Sequence, residues 1–116
     1  MLKSINRLKK KKEFNFIYKK GEVFHSASFS LYVVKAFRRY PQIGISVSKQ
    51  VGNSVVRSRV KRIISEACRL NIDNFAIKNY VISAHEQAKD KKSSEIELEL
   101  VRVLKKNNLY IEDKDV

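Results

Sequence analysis

The sequence predicts a single α+β domain, a two-layer sandwich with element order αβββαβα and a four-stranded sheet. Three observations predict it. Two runs rich in aromatic and β-branched residues, Phe29–Phe37 and Tyr80–Ala84, read as strands. The run Ser54–Leu70 places Val56, Val60, Ile63, Ile64 and Ala67 on one helical stripe, with polar and basic residues opposite. Strands and helices alternate loosely, and the first three strands are close enough in sequence to be antiparallel neighbours. A chain of 116 residues, 43% of them hydrophobic, suits one domain with one core, 1–116, without repeats or a linker.

Each element follows from local pattern. Residues 1–12 carry six Lys and Arg, including the run Lys9–Lys12, and form a basic arm that is either solvated or in contact with phosphates. From Glu13 to Lys20, Phe14, Ile17 and Tyr18 share a helical face; Phe16 lies off it, and Gly21 stops the helix. Glu22 to His25 is extended, and Ser26-Ala27-Ser28 turns. In the next strand Phe29, Leu31 and Val33 face one side and Ser30, Tyr32 and Val34 the other. The basic loop Arg38-Arg39-Tyr40-Pro41 leads to a third strand, Gln42–Ser48. Its Ile43, Ile45 and Val47 share a face, while Gly44, Ser46 and Ser48 leave room for something to approach the other. Asn53 is the expected N-cap of the helix Ser54–Leu70. Asn71 to Lys78 connects it, through an apolar patch at Phe75–Ile77, to the fourth strand, Tyr80–Ala84. After a polar loop, Ser94 and Glu97 fit a capping box for a helix to about Lys106 that buries Ile96, Leu100, Val103 and Leu104. Asn107-Asn108 ends it, and a short charged tail follows.

Charge narrows the function. The net charge is +13, and nearly all the excess lies in residues 1–69, with 17 Lys and Arg against 3 Asp and Glu; residues 70–116 hold 8 against 9. In the helix Ser54–Leu70, Ser58, Lys61, Arg62, Ser65 and Arg69 lie opposite the apolar stripe, and Arg57 and Arg59 flank it. A solvated helix face mixes signs. Here the first three turns carry only positive charge, which repels itself unless a polyanion lies against it. Lys49 and Asn53 stand beside the helix N-terminus, whose free N–H groups suit a phosphate. An anionic membrane is the weaker fit. No apolar run approaches the ~18 residues of a spanning helix, and no apolar segment follows the basic start as in a signal peptide. Cys68, alone and bordering the stripe, reads as a buried structural thiol. A cytoplasmic protein is the simplest expectation.

The chain has no self-sufficient hydrolytic centre in its pattern. Glu13, Glu22 and Glu66 are far apart, and His25 and His85 lack metal-ligand spacing; no phosphate-binding glycine loop exists. We expect no catalytic residue and no metal ligand. Single-stranded nucleic acid is held by aromatic stacking beside a positive groove. Phe14, Tyr18 and Tyr32 are the candidates for stacking, with Gly44, Ser46 and Ser48 as a possible floor; burial in the core is the competing role of these aromatics, above all for Phe14.

Three stretches, RLKKKKEFNFIYKKG at 7–21, FSLYVV at 29–34 and IGISVSKQVGNSVVRSRVKRIISEACR at 43–69, resemble the bacterial ribonuclease P protein components. The likeness extends from Arg7 to about Lys106. It implies a left-handed crossover from the third strand through the basic helix to the fourth, against the right-handed hand of ~98% of such connections. It also implies a ribonucleoprotein that matures the 5′ ends of precursor tRNA, with the catalytic metals on a large RNA. In it the protein acts as a monomer, holds the single-stranded 5′ leader in a central cleft and helps bind Mg²⁺. Phe14, Tyr18 and Tyr32 match the cleft aromatics; Lys49, Asn53, Arg57, Arg59, Lys61 and Arg62 match the signature that meets the catalytic RNA. Ser58 stands where the family usually has Asn, and Ser65 where it commonly has a basic residue. A ribosomal-type structural RNA-binding protein is the alternative of a different class, and a stand-alone nuclease a third.

Overall fold

The computed structural model describes residues 2–112. Residues 113–116 of the charged tail, and Met1 of the arm, lie outside the described residues. The expected order is present: α1 (Lys11–Lys20), β1 (Glu22–His25), β2 (Phe29–Lys35), β3 (Gln42–Ser46), α2 (Ser54–Leu70), β4 (Lys78–Ala84) and α3 (Ser93–Lys106). The four strands form one sheet ordered β1-β2-β4-β3, antiparallel except for the parallel pair β3–β4. β3 therefore does not neighbour β2, as the sequence had suggested. Asn79, Tyr80, Val81 and Ile82 are all buried, so β4 needs cover on both faces, which an interior position supplies. β3, with Gly44 and Ser46 on one side, goes to the edge, and β3–α2–β4 forms the crossover unit.

The apolar stripes of α2 and α3 pack against Phe29, Leu31, Val33, Ile43, Tyr80 and Ile82, which gives the two-layer sandwich and its main core. Val60, Ile64, Ala67 and Cys68 are buried in α2, and Ile96, Leu100, Val103 and Leu104 in α3. α1 crosses the other face, where Ile17 is buried with Leu8 of the arm and Val81.

Several local devices differ from expectation. Gly21 does not end α1 in a left-handed conformation: its φ is −78°, and its N–H donates to the Ile17 carbonyl at 2.8 Å. A glycine fits there because a Cβ would lie 2.6 Å from that oxygen and 3.0 Å from the Val33 carbonyl. α3 starts one residue before Ser94, and its first-turn carboxylate is Glu95, which accepts from the Lys92 N–H at 2.9 Å. Glu97 instead accepts from Asn71 Nδ2 at 3.0 Å, tying α3 to the end of α2. α3 does end at Asn107-Asn108: Asn108 takes φ 59°, and the Leu109 N–H donates to the Leu104 carbonyl at 2.8 Å. The basic arm is not a free extension. Leu2, Asn6 and Leu8 are buried, and the Leu8 N–H donates to the Ile43 carbonyl at 3.1 Å, tying the arm to β3.

Candidate nucleic-acid interface

α2 carries its charge as the sequence predicts. Asn53 caps it, accepting from the Val56 N–H at 3.0 Å. Lys49, Asn53, Ser58, Arg59, Lys61 and Arg62 are exposed and Arg57 is half-buried. Arg57 Nε donates to the Gly52 carbonyl at 3.2 Å, and Arg59 Nη1 to the Lys89 carbonyl at 2.9 Å. These bonds orient the guanidinium groups without discharging them. Among the described residues no carboxylate pairs with Lys49, Arg57, Arg59, Lys61 or Arg62.

Two residues of the expected polar face behave differently. Ser65 is only 3% exposed, because the arm folds back so that the Leu2 N–H reaches Ser65 Oγ at 3.5 Å. A serine fits that covered position, where a longer basic side chain would have to displace the arm. Arg69 is exposed but pairs with Glu66, Nε to Oε1 at 2.9 Å, and the guanidinium holds the Glu66 carboxyl down to about 2. The free positive charge is thus concentrated in the first half of α2. The arm adds to it: Arg7, Lys9 and Lys61 line an open groove of about 420 Å³ along the β3 edge, with Phe14 at one side.

The opposite flank of the site is α1 and the sheet face below it. Tyr18 meets Tyr32 edge-on, with ring centroids 4.8 Å apart and planes at 84°. Tyr18 is exposed and Tyr32 half-buried, so both keep a wet side. Phe14 is half-buried and fills the space that Gly44 leaves: a Cβ on Gly44 would lie 2.4 Å from Phe14 Cζ. The close approach expected at Gly44 is therefore made by Phe14, which forms the floor of the cleft there. β3 ends at Ser46, so Ser48 is off the strand, exposed in the turn before α2.

One polar feature escaped the sequence. The strand register places His25, Ser30, Ser83 and Ser46 in one row across β1, β2, β4 and β3. Buried Ser30 bridges two imidazoles, its Oγ lying 2.8 Å from His25 Nδ1 and 2.7 Å from His85 Nε2. His85 Nδ1 faces the Ala27 carbonyl at 3.4 Å. A carbonyl only accepts, so a bond there is donated by His85 Nδ1, while the serine hydroxyl can donate to one imidazole and accept from the other. The row lies beside the tyrosine pair, at the end of the sheet where α2 begins. Its register joins residues up to 58 positions apart, which no linear pattern displays. Among the described residues no three His, Cys, Asp or Glu side chains converge as metal ligands, and no helix is long and apolar enough to cross a membrane.

Comparison with known proteins agrees with this architecture. The family model described as Ribonuclease P matches residues 2–108. The ribonuclease P protein component of Clostridium novyi (strain NT) is 44% identical over 112 residues, 94% of this chain and 99% of that protein. That of Clostridium botulinum (strain Langeland) is 39% identical over 107 residues, 90% of this chain and 96% of its own. Among solved structures, the Staphylococcus aureus RNase P protein superposes with a TM-score of 0.83 at 33% identity, over 90% of this chain and 97% of that one. The Thermotoga maritima protein shares the fold, with a TM-score of 0.78 at 22% identity. Since the match runs from the tethered arm to the end of α3, the chain belongs to the ribonuclease P protein family.

Proposed function

We propose that this chain, a protein subunit of the endoribonuclease ribonuclease P, binds both the catalytic RNA and the 5′ leader of precursor tRNA, and so assists removal of the leader. The carrying observation is the unpaired positive charge on the first half of α2 beside a cleft with two half-open tyrosines. Lys49, Arg57, Arg59, Lys61 and Arg62, with Asn53 and Ser58 between them, meet phosphates of the catalytic RNA, helped by the N–H groups at the start of α2. Tyr18 and Tyr32 stack on unpaired leader bases, while Phe14 supports them from below and Ser46 offers a hydroxyl at the cleft edge.

Hydrolysis itself is assigned to the RNA. In this reading Mg²⁺ would be held mainly through RNA phosphates. We derive no step from a protein-held metal. The assembly is read as cytoplasmic, with one copy of this chain per catalytic RNA.

Reconstitution tests the reading. The protein added to the catalytic RNA should stimulate cleavage of precursor tRNA at low Mg²⁺; absence of stimulation would favour a purely structural RNA-binding protein. Tyr18→Ala should weaken binding of leader-bearing precursor by about 1–3 kcal/mol if a base stacks there. It should leave binding of mature tRNA unchanged.

A further inference from the structure

α1 divides its face of the sheet into two flanks. Phe16 and Tyr18 stand two residues apart, about 200° around the helix, so Phe16 points away from the tyrosine cleft. From that second flank an open cavity of about 840 Å³ runs around the end of the sheet away from the start of α2, as far as the end of α3. Phe16 is 47% exposed, with its ring 5.9 Å from that of Phe37 and tilted by 57°. Lys20, Lys35, Lys78 and Lys106 line the cavity, against one acidic residue, Glu22. Among the described residues none of these four lysines has an ion-pair partner. A half-open aromatic pair among unpaired ammonium groups suits an unpaired nucleotide, whose base stacks on the ring while lysines meet its phosphates.

We propose that this second groove takes nucleotides of the 5′ leader that lie beyond the Tyr18–Tyr32 cleft. The inference rests on the leader reading above and extends it across α1. The path favours the leader over the catalytic RNA. Exposed Lys12, Asn15 and Lys19 form the crest of α1, so a strand leaving Tyr18 crosses a helix about 10 Å wide over basic ground to reach Phe16. α2, where the catalytic RNA docks, contributes no residue to the groove.

The test measures affinity of the reconstituted holoenzyme for precursor tRNAs with no leader, with a leader that just fills the cleft, and with leaders lengthened stepwise. With the unaltered protein, affinity rises with the first nucleotides and rises again as the strand passes α1. Phe16→Ala removes the second rise, a loss of roughly 5- to 150-fold, and leaves short-leader affinity and catalytic-RNA affinity unchanged. Phe16→Leu, which keeps apolar bulk without a π face, also removes most of it. Absence of a second rise, or its persistence in both variants, overturns the proposal. Weaker binding of the catalytic RNA by the Phe16 variants overturns the choice of occupant. If the unaltered holoenzyme does not distinguish short-leader from leaderless precursor, the leader reading itself fails, which is a separate result.

Discussion

Gly44→Ala probes the cleft floor most directly. The added Cβ would sit 2.4 Å from Phe14 Cζ, 2.7 Å from Cε2 and 3.1 Å from Cε1. Ordinary carbon–carbon contact begins near ~3.5 Å, so the ring must retreat by roughly 1 Å. β3 is held to β4 and to the arm, so the ring yields rather than the strand. Overpacking of this kind costs about 1–3 kcal/mol; Phe14 is half-buried and presents its outer end, which places the expected cost near ~1–2 kcal/mol. For a domain of this size the melting temperature should fall by roughly 4–8 °C. The assay is a double-mutant cycle by urea denaturation. In a Phe14→Ala background nothing stands in the way of the new methyl group, so Gly44→Ala should become nearly neutral, with a coupling of about 1–2 kcal/mol. Equal costs in the two backgrounds would refute the claim that Phe14 occupies the space above Gly44. Gly44→Ala should also blunt discrimination between leader-bearing and leaderless precursor, because the displaced ring intrudes where Tyr18 and Tyr32 receive a base.

Arg62→Ala should flatten the dependence of log K on log salt for catalytic-RNA binding by about 0.7–0.9 per lost phosphate contact. Arg69→Ala, already paired with Glu66, should flatten it less, and the reverse ranking would contradict the docking. Glu99 accepts from the Ser28 N–H at 2.9 Å, from Ser28 Oγ at 2.6 Å and from Ser26 Oγ, pinning the β1–β2 turn to α3. Burial raises its pKa, but these bonds outweigh burial and hold it below the usual 4.5. Its contribution to stability is therefore complete above pH 4.5 and is lost as pH falls through the lower folded value. Glu99→Gln should lower the denaturation midpoint at neutral pH and flatten its acid decline; parallel acid limbs would count against the assignment. Cys68 is fully buried, and burial pushes its thiol well above the usual range. It should react with a thiol reagent only at the rate of unfolding, and fast labelling of the native protein would show the packing to be wrong.

Periodicity was enough to read α2: the spacing of Val56, Val60, Ile64 and Ala67 dictates which side faces the sheet, and with it where Arg59 and Arg62 must emerge. The Asn53 cap, the buried face of α3 and the alternation in β2 were legible for the same reason, since each is set by neighbours within a few residues. Contacts between distant segments were not. Ser65 counted as surface because nothing in the run 54–70 says that Leu2 will cover it. Gly44 looked like an open floor because the ring that fills it lies thirty residues earlier. The serine–histidine row needs the β1-β2-β4-β3 order, and that order was obscured by the short loop from β2 to β3, which suggests a hairpin that does not form. Arg69 looked equivalent to Arg62, although Glu66, one turn away, neutralises it. The aromatic groove beyond α1 combines parts of α1, β2, the loop after it, β4 and the end of α3.

The place of β4 between β2 and β3 has a consequence for biosynthesis. A ribosome releases β2 and β3 well before the strand that joins them, and α2 with its cluster of arginines emerges while neither has a shared neighbour. Closure of the sheet waits for residues 78–84, so the nascent chain presents its polycation ahead of the scaffold that will hold it. Pairings of such large sequence separation are slow to form, and a chain cut before β4 would lack the middle of its sheet rather than a margin.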